Sequence, residues 1–135
     1  LYPMDCTAIW KLDKTLPFDK QIEMSREYFE YTRRGNIHRI GCDKILFIVS
    51  VRNYLEIHTV DGDSVTVPGK LDEAGRHLEA GFVRCHKSYL VNLKYIARYT
   101  ATQFIMMNGK IIPISRSKKN ESVDRYVLFK GALVK

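Results

Sequence analysis

From residue 36 onward the chain is cut into short β-type runs by turn residues, and that punctuation restricts it to a mainly β fold. Ile37 to Ile40 stops at Gly41, and Ile45 to Val49 is apolar throughout, as a strand covered on both faces would be. Tyr54, Leu55, Ile57 and Thr59 form the next run. It ends at Asp61-Gly62-Asp63, a strong hairpin signal, with Ser64 to Val67 as the return strand and Pro68-Gly69 as its break. Phe82 to Arg84, Tyr89 to Asn92 and Ile96 to Tyr99 are further strands. Phe104 to Met107 and Ile111 to Ile114 flank Asn108-Gly109, the favoured two-residue hairpin turn. Helix is expected in two places here: Leu71 to Ala80, with Leu71, Ala74 and Leu78 on one side and Gly81 as the stop, and a final helix or tail from Ser117.

Residues 1–35 read differently. Cys6 to Leu12 suits a short strand, and Leu16-Pro17-Phe18-Asp19 a turn with Asp19 as a helix cap. Ile22, Ser25, Phe29 and Thr32 then recur with a helical period up to Gly35-Asn36, which predicts a helix of about fifteen residues. The expected division is therefore an N-terminal linker or remnant of an upstream domain over 1–35 and one β domain over 36–135. A chain of 135 residues that opens on Leu1 rather than Met fits a piece cut from a longer protein.

Several function classes are disfavoured. The longest apolar run, Ile45 to Val49, is far below the roughly 18 residues of a membrane span. The first residues lack the basic and apolar regions of a signal peptide. Cys6, Cys42 and Cys85 are odd in number and lack CxxC spacing, so neither a paired disulfide framework nor a zinc site is expected. Reduced thiols in a cytoplasmic protein are. Cys85 beside His86 raises a thiol enzyme, but adjacent strand residues point to opposite faces and no third group orients the pair. Arg84 and Lys87 would lower the Cys85 pKa, which leaves a redox-sensitive thiol as a minor alternative. The expectation is a non-enzyme with no cofactor and no metal.

Charge is more informative. The net charge is +7, and residues 1–35 hold six Lys/Arg against six Asp/Glu, so the whole excess lies beyond them. Between Glu79 and Glu121 there are eight Lys/Arg and no acid, the footprint of a polyanionic partner. Three polar and basic clusters fall at strand ends: Ser50 to Tyr54, Arg84 to Ser88, and Ser115 to Lys119. Arg suits a bidentate guanine contact, Lys a phosphate, Ser and Asn neutral donors. No helix-turn-helix, zinc-finger or basic-zipper pattern is present, so DNA would be read by loops on a β scaffold. RNA or an anionic membrane is less well supported, without an aromatic RNP motif or a basic amphipathic helix.

Gly81 to Ile96, with Phe82-x-Arg84-x-His86-Lys87-Ser88-Tyr89-Leu90-Val91-Asn92 at its centre, closely resembles the central signature of LytTR DNA-binding domains. Asp43 to Ile48 with Asn53-Tyr54 resembles the family's opening strand and first loop, and Gly109 to Ser117 its closing Gly-x-x-Ile-Pro-Ile-Ser-Arg block. The resemblance covers about residues 36–120 and implies an elongated fold of about ten short strands in antiparallel sheets with one or two small helices, beside the N-terminal helical segment. It implies the output module of a bacterial response regulator in a two-component system, regulating transcription by placing loops in successive major grooves of promoter DNA. Mapped by motif, the DNA-binding residues are Arg52, Asn53 and Tyr54 in the first loop, Arg84, His86, Lys87 and Ser88 in the second, and Arg116, Ser117 and Lys119 in the third. Structural roles compete at several of these. Arg84 can pair with an acid of Leu71–Ala80 such as Glu73, His86 can fix its own loop, Ser88 and Ser117 can be turn residues, Asn53 can satisfy a turn, and Tyr54 can be core. Expected partners are double-stranded promoter DNA, in paired direct repeats, and a receiver domain or partner protein upstream. A stand-alone regulator or a non-specific basic module is the alternative. With no coiled coil in the sequence, the isolated domain is expected to be a monomer.

Overall fold

The computed structural model describes residues 28–78 and 81–134. Strands β1 (Tyr28–Arg33) and β2 (Asn36–Gly41) form a hairpin. A five-stranded sheet has the order β5 (Ser64–Pro68), β4 (Tyr54–Thr59), β3 (Ile45–Val51), β7 (Tyr89–Asn92), β6 (Phe82–His86). A three-stranded sheet has the order β10 (Ile111–Pro113), β9 (Gln103–Met106), β8 (Ile96–Tyr99). Every pairing is antiparallel. Among the described residues two α-helices complete it, α1 (Leu71–His77) and α2 (Lys119–Val134). The mainly β expectation therefore holds, and the runs from Ile37 to Ile114 all lie on strands at close to their expected bounds.

The N-terminal helix is corrected where it can be seen. Phe29 and Thr32 belong to β1, not to a helix, and Arg34-Gly35 is the hairpin turn, with φ of 53° and 80°. Tyr28, Phe29, Tyr31 and Thr32 are aromatic or β-branched residues, which favour a pleated strand. Phe29 and Tyr31 are buried in the core, so the hairpin straddles residue 35. The expected strand at Cys6–Leu12 and the earlier part of the helix lie outside the described residues. Helix α1 ends at His77, short of the expected Ala80.

The core has two clusters on opposite faces of the five-stranded sheet. One gathers Phe29, Ile48, Leu55, Ile57 and Leu90 with Leu71, Ala74 and Leu78 of the α1 segment. The other gathers Phe47, Val83, Cys85 and Val91 with Phe104, Met106 and Ile112 of the smaller sheet and Tyr126 of α2. Burial on both faces explains why Ile45 to Ile48 is a continuous apolar run. Asn92 is buried at the end of β7 and fully engaged. Its Nδ2 donates to the Ile45 carbonyl at 2.8 Å and the Cys42 carbonyl at 3.3 Å, and its Oδ1 accepts from the Lys94 N–H at 3.1 Å. That bonding holds β7 to the start of β3 and so fixes the register that aligns the other end of these strands.

Candidate nucleic-acid interface

The three basic clusters meet at one edge of the molecule because of strand register. Val49 on β3 lies opposite Tyr89 on β7, so the turn after β3 and the turn before β7 are neighbours. The Ser50 N–H donates to the Ser88 carbonyl at 2.8 Å and ties the first loop to the second. The Ser115 N–H donates to the Cys85 carbonyl at 2.9 Å and ties the third loop to the end of β6.

The first loop is the two-residue turn Arg52-Asn53 between paired Val51 and Tyr54. Arg52 has φ of 59° while Asn53 is not in that region, the pattern of a hairpin turn that normally carries glycine at its first central position. Arg52, Asn53 and Tyr54 are all exposed, so Tyr54 is not a core residue. Asn53 accepts from the Gly69 N–H at 3.1 Å through its backbone carbonyl, which brings Lys70 alongside. A cleft of about 230 Å³ lies between the first two loops, with Arg52, Lys70, Lys87 and Arg84 on its walls.

The second loop turns at Lys87-Ser88 after a bulge at Cys85. Lys87 is exposed. Arg84 is half-buried and tied to its own loop and to α1. Its Nε donates to the His86 carbonyl at 2.9 Å, one terminal nitrogen to the Lys87 carbonyl, and the other to a carboxylate oxygen of Asp72. The acidic partner on α1 is thus Asp72, one residue before the expected Glu73. His86 is half-buried, its Nδ1 accepts from the Ser88 N–H at 3.0 Å, and its ring meets Tyr89 edge-on with centroids 5.6 Å apart. Accepting at Nδ1 places the neutral ring's proton on Nε2.

The third loop is a single 3-10 turn over Arg116–Lys118 that leads into α2. Arg116, Ser117 and Lys119 are exposed, while the half-buried Lys118 N–H donates to the Ser115 carbonyl at 3.1 Å. Helix α2 is held by Tyr126, whose hydroxyl donates to the Ile96 carbonyl at 3.3 Å and whose ring meets Phe104 edge-on. Among the described residues, no carboxylate forms an ion pair with Arg52, Lys87, Arg116 or Lys119. Four cations at one edge that form no ion pair among the described residues make a surface suited to phosphates.

The setting of Cys85 does not favour the activated thiol kept as a minor alternative. The Cys85 Sγ is buried and points at the Pro113 carbonyl at 3.5 Å. Burial pushes its pKa up to about 12, outweighing the smaller downward pull of Arg84, so it is not the activated thiol its neighbours suggested. The Cys85 Sγ faces the Pro113 carbonyl, while His86 Nδ1 accepts from the Ser88 N–H. Neither Lys70 nor Asp72 stands out in the sequence. Lys70 follows the Pro68-Gly69 break, a signal for a loop but not for its place beside the first one.

The LytTr DNA-binding domain family model matches residues 35–124. Among solved structures, the chain resembles one described as the LytTr DNA-binding domain of a methyl-accepting/DNA response regulator from Bacillus cereus. The TM-score is 0.61 and the identity 19 %, over 75 % of this chain and 96 % of that one. No curated protein matches the chain.

Proposed function

The chain belongs to the LytTR DNA-binding domain family, and from that premise we propose that it binds double-stranded DNA sequence-specifically, as the output domain of a bacterial transcriptional regulator. Membership in a DNA-binding family points away from an enzyme. The observation that carries the finer reading is the convergence of three loops at one edge, with Arg52, Lys87, Arg116 and Lys119 exposed and without carboxylate partners among the described residues. In this reading the loops enter successive major grooves. Arg116 reads a base, its planar fork matching guanine. Lys87, Lys119, Arg52 and Lys70 meet phosphates, with Asn53, Tyr54 and Ser117 as exposed polar contacts beside them. Arg84, His86 and Ser88 shape the second loop through the bonds described above, and their contribution to binding is that geometry. The domain includes β1, which is part of the core, and in this reading the chain ahead of it belongs to a linker or the end of a receiver. Among the described residues no helix is long and apolar enough to cross a membrane. A cytoplasmic regulator is the setting that agrees with DNA as partner.

The test is salt-dependent binding to duplexes enriched by the protein from a random pool. With roughly six to eight phosphate contacts, log K should fall with log[salt] at a slope of about −5 to −7. Arg116→Ala should cost about 1–3 kcal/mol and relax preference at one base position, whereas Lys119→Ala should weaken all sequences alike. Salt-independent affinity would rule out the phosphate contacts. Equal losses on enriched and random duplexes in both variants would demote Arg116 to a phosphate contact.

A further inference from the structure

We propose that Asp72 sets how sharply this surface discriminates between DNA sequences, by holding Arg84 in the second loop and away from the DNA backbone. The proposal rests on the DNA-binding reading above and adds to it a residue on α1, outside all three loops.

Asp72 is an anomaly on its surface. Among the described residues it is the sole carboxylate on the walls of the cleft between the first two loops, where Arg52, Lys70, Lys87 and Arg84 supply positive charge. It also lines the neighbouring cleft of about 300 Å³ that reaches Lys118 of the third loop and Arg76. Arg84 holds its carboxyl below the usual carboxylate range, first by the hydrogen bond and then by charge, with smaller contributions from Arg76 and Lys118. Its side chain is 76 % exposed, and an ion pair in such a setting adds little to stability. A carboxylate here also repels phosphates, which weakens DNA binding in general. What it does contribute is geometric. Arg84 uses a rigid planar fork, with one arm on Asp72 and the rest on the His86 and Lys87 carbonyls. With Asp72 in place the guanidinium is occupied and the backbone that carries Lys87 is fixed. Without it Arg84 can turn to a phosphate. Random DNA then gains a contact, and the second loop loses its support. Specificity is a difference between two affinities, and Asp72 acts on both in the direction that widens it.

Asp72→Asn keeps the shape and removes the charge. Wild type, Asp72→Asn and Asp72→Glu are compared by fluorescence anisotropy over a salt series, on the duplex that wild type enriches from a random pool and on a scrambled duplex. For Asp72→Asn, the scrambled duplex should bind about three- to tenfold tighter at low salt, with a slope steeper by about 1. The ratio of enriched to scrambled affinity should fall about tenfold, with the thermal midpoint unchanged. Asp72→Glu should restore most of the ratio. A role confined to stability would move the midpoint and leave the scrambled duplex and its salt slope untouched. A ratio within twofold of wild type in Asp72→Asn, or a fall as large in Asp72→Glu, overturns the proposal and leaves the DNA-binding reading standing. Failure of wild type to enrich any sequence overturns the sequence-specific reading, and the proposal with it.

Discussion

Arg52 occupies a backbone conformation that side chains other than glycine adopt at a cost of about 1–3 kcal/mol. The turn fixes where the first loop projects, and it places a cation at the tip in a strained conformation. Arg52→Gly should therefore stabilise the fold by roughly 0.5–1 kcal/mol, the relieved strain less the entropy of an added glycine. It should also weaken DNA binding on all sequences and make the salt slope shallower by about 1. Urea denaturation and a salt series on the same variant separate the two effects. A variant that is less stable than wild type would show that the turn carries no strain at Arg52. The location of residues at this interface was largely legible in the sequence, because Arg, Lys, Ser and Asn cluster at strand ends. Their division of labour was not. Arg84, His86 and Lys87 look alike as polar residues of one motif, yet only Lys87 faces outward. The other two are half-buried and held by bonds to backbone atoms and, for Arg84, to Asp72, twelve residues earlier in the chain.

The β1–β2 hairpin shows how element-level legibility depends on what surrounds the element. Strands bounded by Asp-Gly, Asn-Gly and Pro-Gly were readable because the turn chemistry is local. Tyr28 to Arg33 carries both periods at once: Phe29 and Thr32 fit a helix, and Phe29 and Tyr31 fit a strand. Pairing with Asn36–Gly41 and burial against the first core cluster decide it, and neither is visible in a window of single sequence. Phe29 is 1 % exposed, so Phe29→Ala should cost about 3–5 kcal/mol, as for a large side chain removed from a packed core. Chemical denaturation monitored by tyrosine fluorescence measures it. A loss under about 1 kcal/mol would mean that the hairpin is an appendage and not part of the core.

At the scale of the whole molecule, the number of loops limits what one copy can recognise. In the proposed reading three short loops would supply a handful of base contacts, and each good bidentate contact is worth only about 1–3 kcal/mol of discrimination. A genome offers on the order of millions of competing sites, which exceeds what one such interface distinguishes. Two copies acting on one DNA face overcome this without any new protein contact, because a tether makes the second binding event intramolecular. The loop edge is built from β3, β6 and β7 together with the residues after β10, whereas the chain enters the described fold at Tyr28, opposite Gly41 and before the start of β3. Val49, near the far end of β3, is the residue that faces the loop side. A tether attached ahead of Tyr28 would leave from the Gly41 end of β2 rather than from the loops, an arrangement compatible with two copies on one duplex. Functional sites should accordingly be paired direct repeats about 10 bp or a multiple apart, with the isolated domain monomeric in solution. Gel shifts with half-site spacing altered by about 5 bp put one site on the opposite face and should lower affinity and abolish the doubly bound species. Restoring a full turn, about 10 bp, should recover both. The same affinity and stoichiometry at every spacing, in a protein carrying its natural upstream region, would leave each copy to recognise its site alone.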